Sequence, residues 1–381
     1  MRKIYWFLQQ LEFLGGTETA TISIANELVN DYEITFVVTA REIKNIPYNI
    51  NKKIKIIFLN NEDNSKIDEK ILEFCKEKRF FKAFLLILKN INFIIFAKYK
   101  YRRIVKKMTS KDDILIGSSL DNYLIIPRSR LFIFHYHFNA KFFNSFNEKF
   151  MSLFYRKPDY YVFLSKTILE AISKHKKRII KKAFYIHNPI KINGYFNDKI
   201  NGHNLIFIGR FADQKNPILL IEVMNELIKI NKEFRLEMYG DGKLKDEIIA
   251  RITTLHLENN IKIYKPSNDI EGILKNKDLL ILTSLYEGMP LVINEAASCS
   301  VPVLSTNFGE SVQDSITNKN GIVVDSFNPL IIANTINELF LNQEKLINLK
   351  RSAYEFSQKF NKKSIKNEWV SVLNKIKKLK K

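Results

Sequence analysis

Two glutamates, Glu287 and Glu295, lie in the segment SLYEGMPLVINEAAS (284–298), with seven residues between them. The preceding apolar run DLLILTS predicts a buried parallel strand, and Pro290 suits the first position of a helix. Glu287 would then stand in the loop, facing a ligand rather than the core, and Glu295 more than one turn into the helix. A general acid and base on one bond lie roughly 5–9.5 Å apart, which this spacing does not obviously give. We expect the two carboxylates to bind different parts of one long ligand.

An anion site is predicted between the two glutamates. The backbone N–H groups of Met289, Leu291 and Val292 would lack an acceptor within the helix and would attract negative charge. Earlier in the chain, FIGRFADQKN places Arg210 and Lys215 directly after another strand. Two cations on one loop suit a diphosphate, although a solvated charged loop is the alternative. A sugar joined to a nucleotide through two phosphates has this layout.

No metal is expected in this site. Asp-x-Asp, which would bridge a diphosphate through a metal ion, does not occur, and no Cys/His cluster has zinc-site spacing. His135 and His137 end another strand-like run, on one face of it by alternation. A metal pair is conceivable there, but no carboxylate or third histidine is near in sequence. Each histidine is either a packed structural residue or, at a cleft, a hydrogen-bond partner of a sugar hydroxyl or the departing phosphate.

The elements that must position these residues alternate along the chain. Seven strand-like runs precede the polar segment 191–204 and six follow it, with helical stretches between them, as in parallel sheets covered by helices. The length of 381 residues suggests two domains, linked by the polar segment. Eight of the 12 glycines follow strand-like runs, at the sheet ends where ligands bind, although tight turns also favour glycine. One such turn holds Gly15 and Gly16, before a helix predicted from about Thr17.

The net charge of +21 belongs mostly to the first half of the chain. Residues 1–200 hold 36 Lys and Arg against 19 Asp and Glu, which gives +17; residues 201–381 hold 25 against 21, which gives +4. This imbalance indicates an anionic partner, either nucleic acid or a phospholipid surface. Cys75 and Cys299 lie in different predicted domains, so we expect no structural disulfide and a reducing cytoplasm.

The segment 70–108 concentrates this charge, with 12 Lys and Arg against two acids among many Phe, Leu and Ile. It has no apolar stretch of about 18 residues that could span a bilayer. An amphipathic helix of this kind lies among lipid headgroups, although two ordinary helices with solvated basic faces are the alternative. No nucleic-acid-binding module is recognisable. We expect an anionic membrane surface as the partner of 70–108, and no nucleic acid.

Several segments resemble the family 4 retaining glycosyltransferases of GT-B architecture. In the second half they are LIFIGRFADQKNP, LEMYGDGKLKDEI, LLILTSLYEGMPLVINEAASCSVPVLST and NGIVVD; GGTE, HFN and IHNPI agree in the first half. The resemblance implies an α/β fold of two Rossmann-like βαβ domains facing each other across a cleft. Residues 1–190 would bind the acceptor, with a helix at about 364–381 packing back on them, and 203–360 the donor. Ser300 stands where the family usually has glycine.

Carried over by position, the resemblance implies the roles of the candidate residues. The catalytic group would be Glu287, His137, Arg210 and Lys215, with His135 as the alternative to His137. Glu287 would lie beside the donor sugar, Glu295 would bind the nucleotide ribose, and Arg210 and Lys215 would hold the diphosphate. The remaining donor contacts would come from Gly16, Gly209, Gly288, Met289 and Leu291. No cofactor and no metal are implied.

We therefore expect a retaining hexosyltransferase that moves a sugar from a nucleotide-sugar donor to a glycan or glycolipid acceptor. From the cysteine usage we expect it in the cytoplasm, and from the basic first half we expect it on the inner face of the cell membrane. One alternative is an enzyme of the same fold with a soluble acceptor, such as a sucrose- or trehalose-type synthase, or a nucleotide-sugar epimerase. Another is a non-catalytic basic binding protein.

Overall fold

A computed structural model gives the fold. It describes residues 2–12, 15–43, 45–60, 82, 99–119, 122–137, 157–175, 177–190, 192–287, 289–309 and 312–380. The segment 70–108, predicted to bind a membrane, lies outside this set except for Lys82 and a helical stretch at 99–108. Gly288 also lies outside it.

The first half contains a seven-stranded parallel sheet. Its strands are β1 (Arg2–Leu8), β2 (Tyr32–Arg41), β3 (Lys55–Asn60), β4 (Ile114–Gly117), β5 (Leu131–Tyr136), β6 (Tyr160–Phe163) and β7 (Ala183–Tyr185). The order is β3-β2-β1-β4-β5-β6-β7, so the strand order reverses between β1 and β4. All seven strand predictions of this half are confirmed.

The second half contains a six-stranded parallel sheet, and its six predicted strands are also confirmed. They are β8 (Asn204–Ile208), β9 (Arg235–Tyr239), β10 (Ile261–Tyr264), β11 (Leu279–Leu282), β12 (Val303–Thr306) and β13 (Gly321–Val324). The order β10-β9-β8-β11-β12-β13 reverses between β8 and β11. Ligands of open α/β sheets bind at such a reversal, outside the carboxyl ends of the strands.

Helices cover both sheets. In the first half they include α1 (Gly16–Leu28), α2 (Asn122–Ile125) and α3 (Lys166–His175), besides the helical stretch at 99–108. In the second they are α4 (Pro217–Ile230), α5 (Lys245–Thr254), α6 (Ile270–Leu274), α7 (Leu291–Ser298), α8 (Val312–Ser315), α9 (Pro329–Leu341), α10 (Gln343–Ser357) and α11 (Lys362–Lys380). Pro290 precedes α7 instead of occupying its first position, a correction of one residue. None of these described helices is both long and apolar enough to cross a bilayer.

The last helix returns to the first sheet. Trp369 of α11 is fully buried, with its ring centroid 5.3 Å from that of Trp6 in β1. Ile365, Leu373 and Ile376, at helical spacing, pack into the same core. Helix α11, which follows the second sheet in the chain, therefore packs against the first sheet.

The polar segment between the sheets has no helix or strand over residues 192–203, as expected of a linker. It is nevertheless tied to the second half. Its amide at Asn197 donates to Ser300 Oγ at 2.9 Å, and its amide at Asn201 donates to Asp278 Oδ1 at 2.8 Å. Ser300 adopts a left-handed φ of 58°, the conformation that favours the glycine usual here. Its hydrogen bond to the linker accounts for a serine at this turn.

Candidate functional site

Two loops meet where the second sheet reverses its strand order. The loop after β8 and the loop after β11 are joined by Leu285, whose amide donates to Gln214 O at 2.8 Å. The Gln214 side chain returns a bond to Tyr286 O at 3.0 Å. Thr283 Oγ1 donates to the carbonyl oxygens of Lys215 and Asn216 at 3.1 and 2.9 Å. The two loops, which the sequence predicted to face each other at one end of the same sheet, are therefore in direct contact.

Lys215 and Glu287 form an ion pair across the two loops. Lys215 Nζ lies 2.5 Å from Glu287 Oε1, and the two side chains are 16% and 8% exposed. Ser284 Oγ donates to the same oxygen at 2.8 Å, and Gln214 Nε2 donates to Oε2 at 3.4 Å. The sequence predicted that Glu287 faces a ligand from its loop. In the structure its carboxylate is buried and is held by three neighbouring side chains. Sequence reasoning missed Gln214 and Ser284, whose contacts depend on the folded loops.

The other predicted cation is placed differently. Arg210 is exposed and makes no ion pair or side-chain hydrogen bond to the described residues. Gly209, just before it, has room for a Cβ, with Lys215 Cε at 3.5 Å. By contrast, a Cβ at Gly240 would lie 2.1 Å from Gly209 O, and one at Gly242 2.5 Å from Phe211 O. Those two glycines are thus explained by close packing against the loop after β8.

Helix α7 carries the second glutamate and starts beside the first. The helix begins at Leu291, so the N–H groups of Leu291 and Val292 have no acceptor within it. Glu295 lies in its second turn and is 7% exposed. The Met289 side chain packs in an apolar cluster with Leu164, Ile190 and Phe360. The backbone around 289–292 is therefore fixed, with its first amides at the carboxyl end of β11.

The two histidines lie on one face of β5, as alternation predicted. His137 Nε2 lies 3.0 Å from His135 Nδ1. His135 is 1% exposed and packs against Trp6 and Trp369, with ring centroids 6.0 and 5.1 Å away. His137 is half-buried at the end of the strand. His135 is therefore a core residue, and His137 is the better candidate for a ligand contact.

Burial keeps the buried histidines neutral. It lowers the pKa of His137 to about 3. Burial also lowers the pKa of His135 well below its usual value, with a smaller contribution from the neighbouring His137. Burial also lowers the pKa of His187, against the opposing charge of Asp314.

Within the described residues, no group of three His, Cys, Asp or Glu could hold a metal ion.

These pKa shifts predict that acid destabilises the protein. Below about pH 6.5 the unfolded chain binds protons that the folded histidines do not, so stability falls by up to about 1.4 kcal/mol per pH unit for each histidine. Urea unfolding at pH 7.5, 6.5 and 5.5 measures this slope. In His137→Gln the unfolding free energy should change less steeply with pH, by about the contribution of one histidine. An unfolding free energy that is equal at all three pH values would contradict the prediction.

Gly16 begins α1, at the reversal point of the first sheet. A Cβ built there would meet nothing within 4 Å in the described structure, whereas one on Gly15 would lie 2.2 Å from Glu18 Oε2. The contact at Gly15 is with the end of a flexible side chain that can move away, and Gly16 faces open space among the described residues. The joint role of Gly16, His137 and Glu287 at one ligand stays a prediction.

Comparison with known proteins places this site in context. Residues 198–356 match the family described as glycosyl transferases group 1, which covers the second sheet and both site loops. The amylovoran biosynthesis glycosyltransferase AmsD of Erwinia amylovora is 24% identical over 220 residues, 53% of this chain. The match spans 61% of AmsD, less than two thirds of its length.

Other relatives match the whole chain. An α-1,4-N-acetyl-D-galactosaminyltransferase of Campylobacter jejuni, named for a diNAcBac-PP-undecaprenol glycan, is 24% identical over 388 residues, 99% of each chain. A TarM variant of S. aureus, solved with Fondaparinux, alpha-GlcNAc-glycerol and UDP, has a TM-score of 0.77 at 16% identity. The alignment covers 98% of this chain and 100% of TarM, and shows that the two share the GT-B fold. The structural likeness therefore shows that the chain has the GT-B fold, and the family match shows that residues 198–356 are similar to glycosyl transferases group 1.

Proposed function

We propose that this protein is a retaining glycosyltransferase of family 4 that uses a nucleotide-diphospho-sugar and requires no metal. The observation that carries the proposal is the junction of Lys215, Glu287 and the start of α7 at the reversal point of the second sheet. In this proposal residues 203–360 bind the donor and residues 1–190 bind the acceptor. The helix at about 364–381 belongs with the acceptor domain.

The site would act by stabilising charge. As the sugar–phosphate bond breaks, negative charge grows on the diphosphate, opposite Lys215, Arg210 and the first amides of α7. Lys215 must then be shared between Glu287 and the diphosphate, since it is already paired at 2.5 Å. Glu287 would lie beside the sugar as it gains oxocarbenium character. With retention, the acceptor would attack from the face that the diphosphate leaves.

The other candidate residues complete the donor site. Glu295, one turn deeper in α7, would bind the ribose. Backbone groups of Gly209, Gly288, Met289 and Leu291 would contact the sugar and phosphates. Gly16 would approach from the acceptor domain, and His137, held neutral by burial, would donate or accept a hydrogen bond at the sugar.

The proposed acceptor is a glycan on a lipid carrier or a growing polysaccharide, at the cytoplasmic face of the membrane. The name of the C. jejuni relative, which refers to an undecaprenol-linked glycan, supports this class. The helical residues 99–108 support it as well, because Lys100, Arg103, Lys106 and Lys107 are exposed while Tyr101 and Val105 are buried. An anionic membrane would attract such a face.

A screen of UDP-, GDP- and ADP-sugars tests the donor class. At least one should raise the melting temperature of the purified protein and should be consumed when a lipid-linked glycan is added. Both effects should persist in EDTA. Consumption without a lipid-linked acceptor would favour a soluble acceptor or an epimerase, and strict dependence on a divalent ion would overturn metal independence.

Removal of either cation should weaken nucleoside-diphosphate binding. We expect Arg210→Ala and Lys215→Ala each to cost about 1.5–3 kcal/mol, the scale of a hydrogen bond to a charged group. Lys215→Ala should show the larger effect, because it also leaves Glu287 unneutralised near the phosphates. Isothermal titration calorimetry measures the affinity of both variants, with the nucleoside diphosphate of the sugar that raises the melting temperature in the screen. Lys243→Ala is the control, since this lysine pairs with Asp213 in the neighbouring loop but is 65% exposed. Unchanged affinity in both variants would place the diphosphate elsewhere.

Vesicle sedimentation tests the membrane partner. The wild type should pellet with phosphatidylglycerol vesicles and much less with neutral ones, and more weakly as salt shortens the Debye length from about 10 Å at 0.1 M to 3 Å at 1 M. Replacing Lys100, Arg103, Lys106 and Lys107 by Ser should reduce pelleting and leave nucleotide binding intact. Equal pelleting with neutral and anionic vesicles would remove the electrostatic argument.

A further inference from the structure

A carboxylate of the second domain caps a helix of the first. Asp314, in α8, accepts three hydrogen bonds on its Oδ2 atom: from Ser165 Oγ at 2.5 Å, Thr167 N at 2.9 Å and Thr167 Oγ1 at 3.1 Å. Thr167 lies in the first turn of α3. In residue number, Thr167 and Asp314 differ by 147, and Ser165 and Asp314 differ by 149.

The contact has the chemistry of a helix cap. The amide of Thr167 has no acceptor within α3, because it belongs to the first turn. Ser165 is fully buried, and its Oγ accepts from Ile168 N at 3.1 Å, so Ser165 caps the helix from within its own domain. Asp314 supplies the acceptor for the neighbouring amide and places a negative charge at the positive end of a ten-residue helix. A carboxylate in this position is stabilising only while the two domains are together.

The capped turn also touches the site loop. Leu164, the residue before Ser165, packs in one apolar cluster with Met289, two residues after Glu287. On the side of the second domain, Thr306 at the end of β12 donates to Ser284 O at 3.0 Å. Ser284 in turn holds the Glu287 carboxylate. The turn between β6 and α3 therefore meets both the loop of Glu287 and the helix that follows β12.

We infer that Asp314 is a positioning residue that holds the acceptor domain against the donor site during transfer. Its bonds to α3 fix the distance between the two domains beside the loop of Glu287. Loss of these bonds leaves both sheets and the donor loops intact but lets the cleft open. The effect on transfer rests on the proposed function, whereas the effect on domain closure does not.

Small-angle scattering and kinetics of Asp314→Ala test this inference. The variant should show a larger radius of gyration than the wild type in saturating nucleoside diphosphate. Its kcat for transfer should fall by about tenfold or more, while its nucleoside-diphosphate Kd stays within about twofold. Thr167→Val, which removes one of the three donors, should lower kcat by about threefold, and adding it to Asp314→Ala should cause little further loss.

Asp269→Ala is the matched control. Asp269 caps α6 within the second domain, where its Oδ1 accepts from Gly272 N at 2.9 Å, so its loss removes a cap without touching the first domain. This variant should keep the scattering curve and kcat of the wild type. Wild-type scattering and kcat in Asp314→Ala would overturn the inference, as would a loss of nucleotide affinity equal to the loss of kcat. If Asp314→Ala does not fold, Thr167→Val decides by the same criteria. If the wild type transfers no sugar, the proposed function fails and scattering alone decides on Asp314.

Discussion

Glu287→Gln is expected to retain less than about a tenth of wild-type turnover. This corresponds to an increase of at least about 1.4 kcal/mol in the activation free energy. The amide keeps the shape of the side chain but removes the negative charge proposed to lie beside the sugar as it becomes positive. It also releases Lys215 from its partner at 2.5 Å. Turnover at saturating donor and acceptor measures the effect. Retention of more than a tenth of wild-type turnover would show that the proposed role of Glu287 is wrong.

In Glu287→Gln, a decrease in the free energy of unfolding must be distinguished from the decrease in turnover. Because Glu287 is buried and paired, its loss leaves Lys215 unneutralised, and we expect a measurable decrease in the free energy of unfolding. The double variant Lys215→Met/Glu287→Gln should recover stability but not turnover. Glu222→Gln is the matched control, since Glu222 pairs with Arg251 at 2.5 Å on helices away from the site loops. It should keep wild-type turnover.

The strands were predictable because their signal is local. All 13 apolar runs became strands, since a short β-branched or aromatic run bounded by turn residues carries its own signal. The positions of the candidate loop residues were partly predictable for the same reason. Arg210, Lys215 and Glu287 lie in loops that follow strands, and parallel strands bring such loops to one sheet edge.

The pairing of side chains was not predictable. Sequence patterns do not show that Lys215 contacts Glu287 or that Asp314 contacts Thr167, because each contact joins residues far apart in the chain. His135 illustrates the limit: alternation gave its face correctly, but its burial between Trp6 and Trp369 depends on a helix that arrives from the end of the chain. Only the fold decides such neighbours.

A second ion pair between residues far apart in the chain, Lys350 and Asp278, lies in the core of the second half. Lys350 of α10 is 1% exposed and Asp278, just before β11, is fully buried, with Nζ 3.5 Å from Oδ1. Lys350 Nζ also donates to Lys277 O at 3.1 Å. Burial lowers the pKa of Lys350, and the charge of Asp278 opposes this shift. Asp278 Oδ1 also accepts from the amide of Asn201, so the pair connects the linker, the sheet and α10.

Lys350→Ala is expected to lower the free energy of unfolding by about 3–5 kcal/mol, the cost of breaking a buried ion pair from one side. The variant leaves the Asp278 carboxylate buried with two amide donors but without a cation, and it leaves a cavity where the lysine stem packed. Urea denaturation of the purified protein, followed by circular dichroism, measures the loss. The second half of the chain should unfold at a lower urea concentration in the variant than in the wild type.

Two further variants identify the charge as the cause. Lys350→Met/Asp278→Asn removes both charges while keeping similar volumes, and it should recover most of the stability that Lys350→Ala loses, because neither charge then remains buried alone. Lys229→Ala breaks an exposed pair, in which Lys229 lies 2.7 Å from Glu226 and is 61% exposed, and it should cost no more than about 1 kcal/mol. If Lys350→Ala costs as little as Lys229→Ala, the buried pair does not hold the linker and α10 to the sheet.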